Sequence, residues 1–526
     1  MKKILLIFCV SSLILSCGSS SKSNIPSTVA LETKVVDPTD YASTITSEEL
    51  KTMLYKYASD EFEGRETGEK GQKMAVEYLK EQYKTMGVAT PLGGDDYFQE
   101  VPLEKQKTAQ AILAVDDKPF NSFEDHIVLS VPKSIDLADN SIVYVGYGID
   151  DDNYSDYKDL DVKGKIILVK SGEPKDSNGN YVTSGTAEET KWSSGRQSMS
   201  SKRDAAIAHG AKVMLLMDND LFPRYAPYFK QQFESGASGR LNLKNNEEGM
   251  AFLMINENLG KAINPSILEN HTPKVLSTKI DLAIKNQSEA IISENVVAYI
   301  KGSEKPEEIV VLSAHLDHEG IKNGEVYNGA DDDGSGTIAL IEIAEAFKTA
   351  QIAGHGPKRS ILFLHVTGEE KGLLGSKHYT DNDPIFPLEN TVVDLNIDMI
   401  GRIDPKRKEG GRNYVYLIGS DKLSSDLHNI SEEVNKKYMN VELDYTYNDE
   451  NDPNRFYYRS DHYNFAKNNI PVIFYFNGTH DDYHKPTDTP DKIEYDLLEN
   501  RTRLVFYTAW EVANRDQRII VDKASK

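Results

Sequence analysis

Apolar and polar positions alternate along this chain in three different rhythms. Residues 18–45 are rich in Ser, Pro, Thr and Asp with no periodic apolar pattern, which reads as a tether and lead-in. From Ser47 the segment SEEL sets two acids at the start of a periodic stretch, a helix-opening pattern. A second helix is expected from about Glu69 to Met86, where Met74, Tyr78, Leu79 and Tyr83 fall near one face and Gly87 stops it. The polar, glycine-rich turn DEFEGRETGEKG separates the two helices. Between 126 and 285 the runs SIVYVGYG, KGKIILVKSG and AKVMLLMD predict short strands among polar loops, with a helix from about Ser201 to His209. From 291 onward strands and helices alternate. ISENVVAYI, EEIVVLSAHLD, SILFLHVTGEE, TVVDLNIDMIG and IPVIFYFNG have strand length, several with the Val and Ile content of buried strands, and TIALIEIAEAFKTA and SDLHNISEEVNKKYM are helical. The pattern predicts an α/β fold with a mixed, mostly parallel sheet flanked by helices, interrupted by a compact β-rich insert.

The first residues follow another logic. Lys2 and Lys3 precede ILLIFCVSSLIL, a run of secretory length that is short for a bilayer span. The stretch ILSCGSSSKSN resembles a bacterial lipoprotein signal, which implies loss of residues 1–16 and acylation of Cys17 as the new N-terminus. An ordinary secretory signal is the alternative. The expected location is the bacterial cell envelope, lipid-anchored at the outer membrane or facing the periplasm. Cys9 leaves with the signal, so neither a disulfide framework nor a thiolate metal site is available. The net charge is −23, and −25 once the two lysines are removed. That argues against a nucleic-acid partner. Neither a P-loop nor a dinucleotide-type glycine loop is present.

Histidines and carboxylates gather where the later strands end, the crevice side of an open α/β sheet. HLD supplies His315 and Asp317, an imidazole with a carboxylate two residues on that can accept the proton of its far nitrogen. GADDDGSG at 329–336 sets three acids before a helix, more than capping requires. TGEEKG sets Glu369 and Glu370 directly after a strand, awkward neighbours unless a cation holds one of them. Asp398 closes the apolar run VVDLNID, and His480 and His484 follow IPVIFYF. An oxygen-and-nitrogen set of this size suits Zn²⁺, with Mn²⁺ or Co²⁺ as lesser fits, and exceeds the needs of one tetrahedral ion.

In order, HLD, GADDDGSG, TGEEKGLLGS, NIDMIG and YHKPTDT resemble peptidase family M28. The resemblance implies two zinc ions per chain. His315 would bind one, Asp332 would bridge both, and Glu370, Asp398 and His484 would complete the shells. Asp333 would follow Asp332 through a cis peptide, Asp317 would support His315, and Glu369 would be the general base. Tyr483 could donate to the oxyanion or simply pack beside His484. Asp461 and His462 in SDHYNF would support the site or line the substrate pocket, without binding metal. YKDLDVKGKIILVKSG and SKRDAAIAHGAKVMLLMD resemble a protease-associated insert.

The expected partition is therefore 1–16 signal, 17–45 tether, 46–125 N-terminal part of the catalytic domain, 126–285 protease-associated-like insert and 286–526 main peptidase domain. The expected activity is zinc-dependent exopeptidase cleavage of peptide substrates from the N-terminus. A carboxypeptidase or dipeptidase would need a cationic clamp, for which Arg402, Arg455 and Arg459 are candidates. A catalytically inactive peptide-binding lipoprotein is the reading from a different class.

Overall fold

The computed structural model describes residues 36–139, 141–236, 238–244 and 249–523. The expected signal, Cys17 and residues 17–35 of the tether lie outside these. Residues 38–45, also assigned to the tether, behave differently. Tyr41, Ala42 and Ile45 are buried, Tyr41 stacks on Trp510 with ring centroids 5.6 Å apart, and Arg503 donates to the carbonyls of Ala42 and Ile45. Apolar side chains too sparse to show periodicity still dock this stretch.

The alternation after 291 resolves into a nine-stranded mixed sheet. Its strands are β1 (Phe98–Lys107), β2 (Ser238–Leu243), β3 (Ser288–Ile300), β4 (Lys305–His315), β5 (Arg359–Val366), β6 (Thr391–Ile397), β7 (Tyr414–Ile418), β8 (Glu442–Asp444) and β9 (Val472–Phe476). The order across the sheet is β2-β1-β3-β5-β4-β6-β9-β7-β8. The four middle strands β5, β4, β6 and β9 run parallel, so their C-terminal ends share one edge. Every residue of β5, β6 and β9 is buried, as expected of parallel strands covered on both faces.

Five long helices accompany the sheet: α1 (Ser47–Tyr57), α2 (Lys70–Met86), α3 (Gly336–Ile352), α4 (Ser425–Tyr438) and α5 (Tyr495–Asn514). Thr46 caps α1 by accepting from the Glu49 amide, and α2 ends on Gly87 at φ 69°. α3 is apolar nearly all round and buries twelve residues, because it lies between sheet and helices. On one face Val297, Val311, Leu364 and Val472 pack with Tyr379 and Phe465. No helix among the described residues is long and apolar enough to cross a membrane.

Residues 111–284 build two further large sheets and a two-stranded ribbon of Asp150–Asp151 with Tyr154–Ser155. A six-stranded one centres on Ile166–Lys170, Val213–Met217 and Ala251–Ile255, which are parallel. A four-stranded one pairs Ala111–Val115 with Ile280–Ile284, and the two sheets share a core containing Leu113, Leu282, Leu168, Leu215 and Leu253. The boundary drawn at 126 thus falls inside this lobe, since 111–115 and 118–120 pair within it. One segment leaves the lobe: β2 pairs with β1 at the edge of the main sheet, with Leu103 opposite Leu243.

Candidate metal centre

His315 closes β4, Glu369 and Glu370 follow β5, Asp398 follows β6, and His484 lies on the loop beyond β9, so one sheet edge brings them together. His315 Nε2 lies 3.1 Å from Asp332 Oδ1 and 3.7 Å from Asp398 Oδ1. On the other side of Asp332, His484 Nε2 lies 3.1 Å from Asp332 Oδ2 and 3.1 Å from Glu370 Oε2. Asp332 therefore stands between two groups of ligand-type atoms. The sequence reasoning left out His318, whose buried Nδ1 lies 2.9 Å from Glu370 Oε1.

These contacts are close without being hydrogen bonds. His315 Nε2, Asp332 Oδ2, Glu370 Oε1 and both His318 ring nitrogens are buried with no hydrogen-bond partner among the described residues. Unpaired atoms at such depth are costly unless a cation completes them. His315, Asp332 and Asp398 offer one set of ligand atoms within 4.8 Å of one another, and His318, Asp332 and Glu370 offer a second. Imidazole and carboxylate donors without thiolate fit zinc.

The three acids of GADDDGSG divide their work. Asp331 accepts from the Gly401 amide at 2.6 Å and faces His480 Nε2 at 3.2 Å. Asp332 points between the two groups. Asp333 accepts from the amides of His315, Gly336 and Met399, tying β4, α3 and the end of β6 together. The Asp332–Asp333 peptide is cis. Asp488 holds the loop from outside by accepting from the amides of Asp331 and Asp332.

One expectation needs correction. The far nitrogen of His315, Nδ1, lies 3.0 Å from the main-chain carbonyl of Asp317, not from its carboxylate. The carboxylate instead accepts from Thr67 Oγ1 at 2.7 Å and from the Glu369 amide at 3.1 Å, and so fixes the loop that carries Glu369. A carbonyl two residues on can meet the ring within the same turn, which frees the side chain for this longer reach. Thr67 comes from the turn EGRETG, and so does Arg65. The buried Arg65 guanidinium donates to the carbonyls of Leu316, Asn328 and Gly329. Ser460, immediately before SDHYNF's Asp461, donates to Asp398 Oδ2 at 2.7 Å. Asp461 accepts from Ser376, and His462 stacks on Phe474, so both stand behind the centre. Polar residues of these kinds have too many ordinary uses for sequence alone to single them out.

The electrostatics separate the neighbours. Burial pushes the Glu369 carboxyl well above its ordinary range, and Glu370, Asp461 and Asp398 reinforce this against His315. Burial also acts to raise Glu370, but His318 and His484 hold it down at about 2. Burial disfavours the charged His484 ring, yet Asp332 and Glu370 push its pKa up to about 10. Burial raises Asp461 to about 7. So many crowded acids call for cationic charge.

Two cavities meet at Glu369. A wide one of about 740 Å³ is lined by Thr67, Lys105, Arg240, Lys371, Tyr458 and Arg459 among others. A narrow one of about 30 Å³ is walled by Met399, Phe456, Phe474 and Phe476 beside Asp332 and Asp398. Glu369, Arg459 and Tyr483 line both. Tyr483 stacks on His484 with centroids 3.9 Å apart, and its hydroxyl lies 3.4 Å from Arg459 Nη2. Of the other candidate clamps, Arg402 is bound to Asp482 at 3.1 Å, and Arg455 lines a separate cavity with Lys422 and Tyr447.

Residues 295–509 match the sequence profile of peptidase family M28. The chain is similar to aminopeptidase YwaD of Bacillus subtilis, 28% identical over 280 residues, covering 50% of this chain and 49% of that protein. It is also similar to "probable leucine aminopeptidase 2" of Aspergillus oryzae, 23% identical over 354 residues, covering 67% of this chain and 58% of that protein. The alignments thus span about half the length of these relatives. Among solved structures, an aminopeptidase from Aneurinibacillus sp. strain AM-1 superposes with a TM-score of 0.46 and 18% identity, over 92% of this chain and 98% of the other. The matched residues, 295–509, include every ligand of the candidate metal centre.

Proposed function

We propose that the protein is a zinc-dependent aminopeptidase. The observation that carries this reading is the position of Glu369: half-buried, with no hydrogen bond to its carboxylate among the described residues, beside both ligand groups and at the junction of the two cavities. His315, Asp332 and Asp398 would hold one zinc ion, and Asp332, Glu370 and His484 the other. When bound, the metals supply Lewis acidity toward a water and toward the substrate carbonyl. Glu369 takes the proton of the attacking water as its oxygen bonds to the carbonyl carbon, and returns a proton to the nitrogen as the C–N bond breaks. Burial keeps the Tyr483 phenol well above its ordinary pKa, so it remains a donor for the carbonyl oxygen. The narrow cavity, at about 30 Å³, admits only a small side chain of the N-terminal residue, and the wide one receives the rest of the peptide.

The test is cleavage of matched peptides with free or blocked ends by zinc-reconstituted protein, with products identified by mass. Release of the first residue, lost on N-acetylation, is expected. Cleavage inside peptides blocked at both ends would reject an exopeptidase, and C-terminal release abolished by amidation would establish the carboxypeptidase alternative. The lobe over 111–284 is proposed to be the protease-associated-like insert, shaping entry to the wide cavity through β2. Export and acyl anchoring through Cys17 complete the proposal and place the enzyme on envelope membranes.

A further inference from the structure

We infer that the open edge of β2 is a substrate-binding strand, along which the leaving side of a peptide lies as an added antiparallel strand from about its third residue on. The favoured substrates are then extended oligopeptides rather than dipeptides; this rests on the exopeptidase reading above. Phe98 at the start of β1 stands opposite Val296, which stands opposite His365 near the end of β5. Past that level β3 still reaches back to Ser288 and β1 runs on to Lys107, so both project beyond the sheet edge that carries the centre. β2 is added to this projection, opposite residues 103–107. Its Gly239, Arg240 and Leu241 line the wide cavity together with Glu369, Glu370 and Gly372.

The register decides which backbone groups are spent. The Lys244 amide donates to the Pro102 carbonyl, and the Lys107 amide to the Gln287 carbonyl just before β3. Bonds to one neighbour fall on alternate residues of an antiparallel strand. Pro102 and Glu104 therefore face β2, while Leu103, Lys105 and Lys107 face β3. Opposite Leu103 and Lys105 stand Leu243 and Leu241, which turn N–H and C=O away from β1. No strand among the described residues pairs with that side. These two residues repeat at about 6.8 Å, the spacing at which an extended peptide presents its own N–H and C=O on one side. Leu241 packs with Val101, Leu103 and Leu374, which seats the strand on the loop after Glu370. Between Lys105 and Lys107 the register shifts, and Gly239 lies so close to the Gln106 carbonyl that a Cβ there would overlap the oxygen. This bulge bends the strand where it meets the cavity.

The far edge of the sheet is protected instead. β8 has three residues, and Arg407 binds its Glu442 and Asp444 at 2.5 and 3.0 Å. β2 has six residues without a proline, so its edge can pair. The direction also fits. β1 leads away from the level of His365 and β2 returns beside it, so a peptide that starts at Glu369 and leads away runs antiparallel to β2. Paired residues then exchange both bonds. Arg240 spans the gap to the Glu369 loop, with Nη2 2.8 Å from where a Cβ would stand on Gly372. The β2 backbone thus stands an arginine's length from that loop, and the first two residues of a substrate fall short of it.

The experiment uses zinc-reconstituted full-length protein and amidated leucyl peptides of two to seven residues without charged side chains. Between two and six residues kcat/KM should rise by about tenfold or more, the worth of one or two exchanged backbone bonds, and then level off. In the six-residue peptide, single N-methylation from the third residue on should cost about tenfold at every second nitrogen and little between, because alternate N–H groups point at β2. Leu243→Pro removes one outward N–H of β2 and should lower the ratio of six-residue to two-residue kcat/KM. Leu243→Ala trims the side chain but keeps the N–H, so the ratio should stand. Should Leu243→Pro fail to fold, the N-methyl series on the wild type decides alone. No rise with length, or N-methyl costs without alternation, would overturn the inference. A dimer in sedimentation with no length dependence would overturn it too, giving the edge to a second copy. Calorimetric binding of the same peptides to zinc-loaded Glu369→Gln separates the two readings. Affinity that grows with length and alternates on N-methylation, without cleavage by the wild type, would sink the exopeptidase and leave the strand. First-residue release with affinity indifferent to length would sink the strand and leave the exopeptidase.

Discussion

Replacing Glu369 by Gln is the sharpest test of the proposed chemistry, because the structure separates this residue from its neighbour. The Glu369 amide is held 3.1 Å from Asp317 Oδ1, and the change leaves that backbone contact in place. Its carboxylate belongs to neither group of ligand atoms, so both metal positions should keep their ions. What disappears is the proton acceptor. General-base catalysis contributes about 10²–10⁴ in rate, which at 1.36 kcal/mol per tenfold is about 2.7–5.4 kcal/mol of transition-state stabilisation. Glu370→Gln should act otherwise. Glu370 faces His318 Nδ1 at 2.9 Å and His484 Nε2 at 3.1 Å, and loss of its charge weakens the second position directly. The assay is kcat/KM on an unblocked peptide, together with metal content by mass spectrometry after dialysis against a weak chelator. Near-normal turnover in Glu369→Gln, or equal metal loss in both variants, would refute the division.

Three further outcomes follow from single residues. His318→Ala should lower affinity for the second zinc ion by about tenfold or more, read by chelator competition, because it removes a buried nitrogen beside Glu370; unchanged affinity would make the ring a packing residue. Glu342 is pushed up from 4.5 to about 8, first by burial and then by Glu49 and Glu345, so native protein keeps a proton there that the unfolded chain releases. This penalty is absent below about pH 4.5, grows to about 3 kcal/mol at pH 7 and levels off above pH 8, so Glu342→Gln should raise denaturation midpoints at pH 8 but not at pH 4; a pH-independent gain would refute the assignment. Cys17→Ser should release active enzyme from the envelope membranes into the soluble fraction, and soluble wild-type protein with an unmodified N-terminus would defeat the anchoring proposal.

How much of the fold was legible depended on burial. β4, β5, β6 and β9 sit mid-sheet, covered on both faces, and their unbroken apolar runs announce them. β1 lies nearer the edge, and its sequence FQEVPLEKQK mixes Pro102, Lys105 and Lys107 with a broken burial pattern. β2 is harder still, because its partner β1 lies well over a hundred residues earlier and no local pattern signals a pairing of Leu103 with Leu243. The helix α5 went unassigned although Leu497, Leu498, Leu504, Val505 and Phe506 line its buried side. Its pattern is crossed by Arg501, itself fully buried and spent on the carbonyls of Ile400, Arg402 and Tyr414.

At the centre, residue type at a strand end was informative, and the partner of each residue was not. The adjacent pair Glu369 and Glu370 shows why. Residue type alone does not separate them, two glutamates directly after one strand, and only the resemblance to family M28 named Glu369 the base and Glu370 a ligand. The fold turns Glu370 toward His318 and His484, which hold its carboxyl at about 2, and leaves Glu369 among Asp398, Asp461 and apolar walls, which together with burial push it up. A charge that is held ionised beside imidazoles suits a ligand, and a carboxyl whose proton affinity is raised suits one that must accept a proton and give it back. The separation depends on residues far along the chain, from Thr67, which holds Asp317 under the Glu369 amide, to His484 beyond β9. Only the assembled sheet edge brings them to bear on two neighbouring side chains.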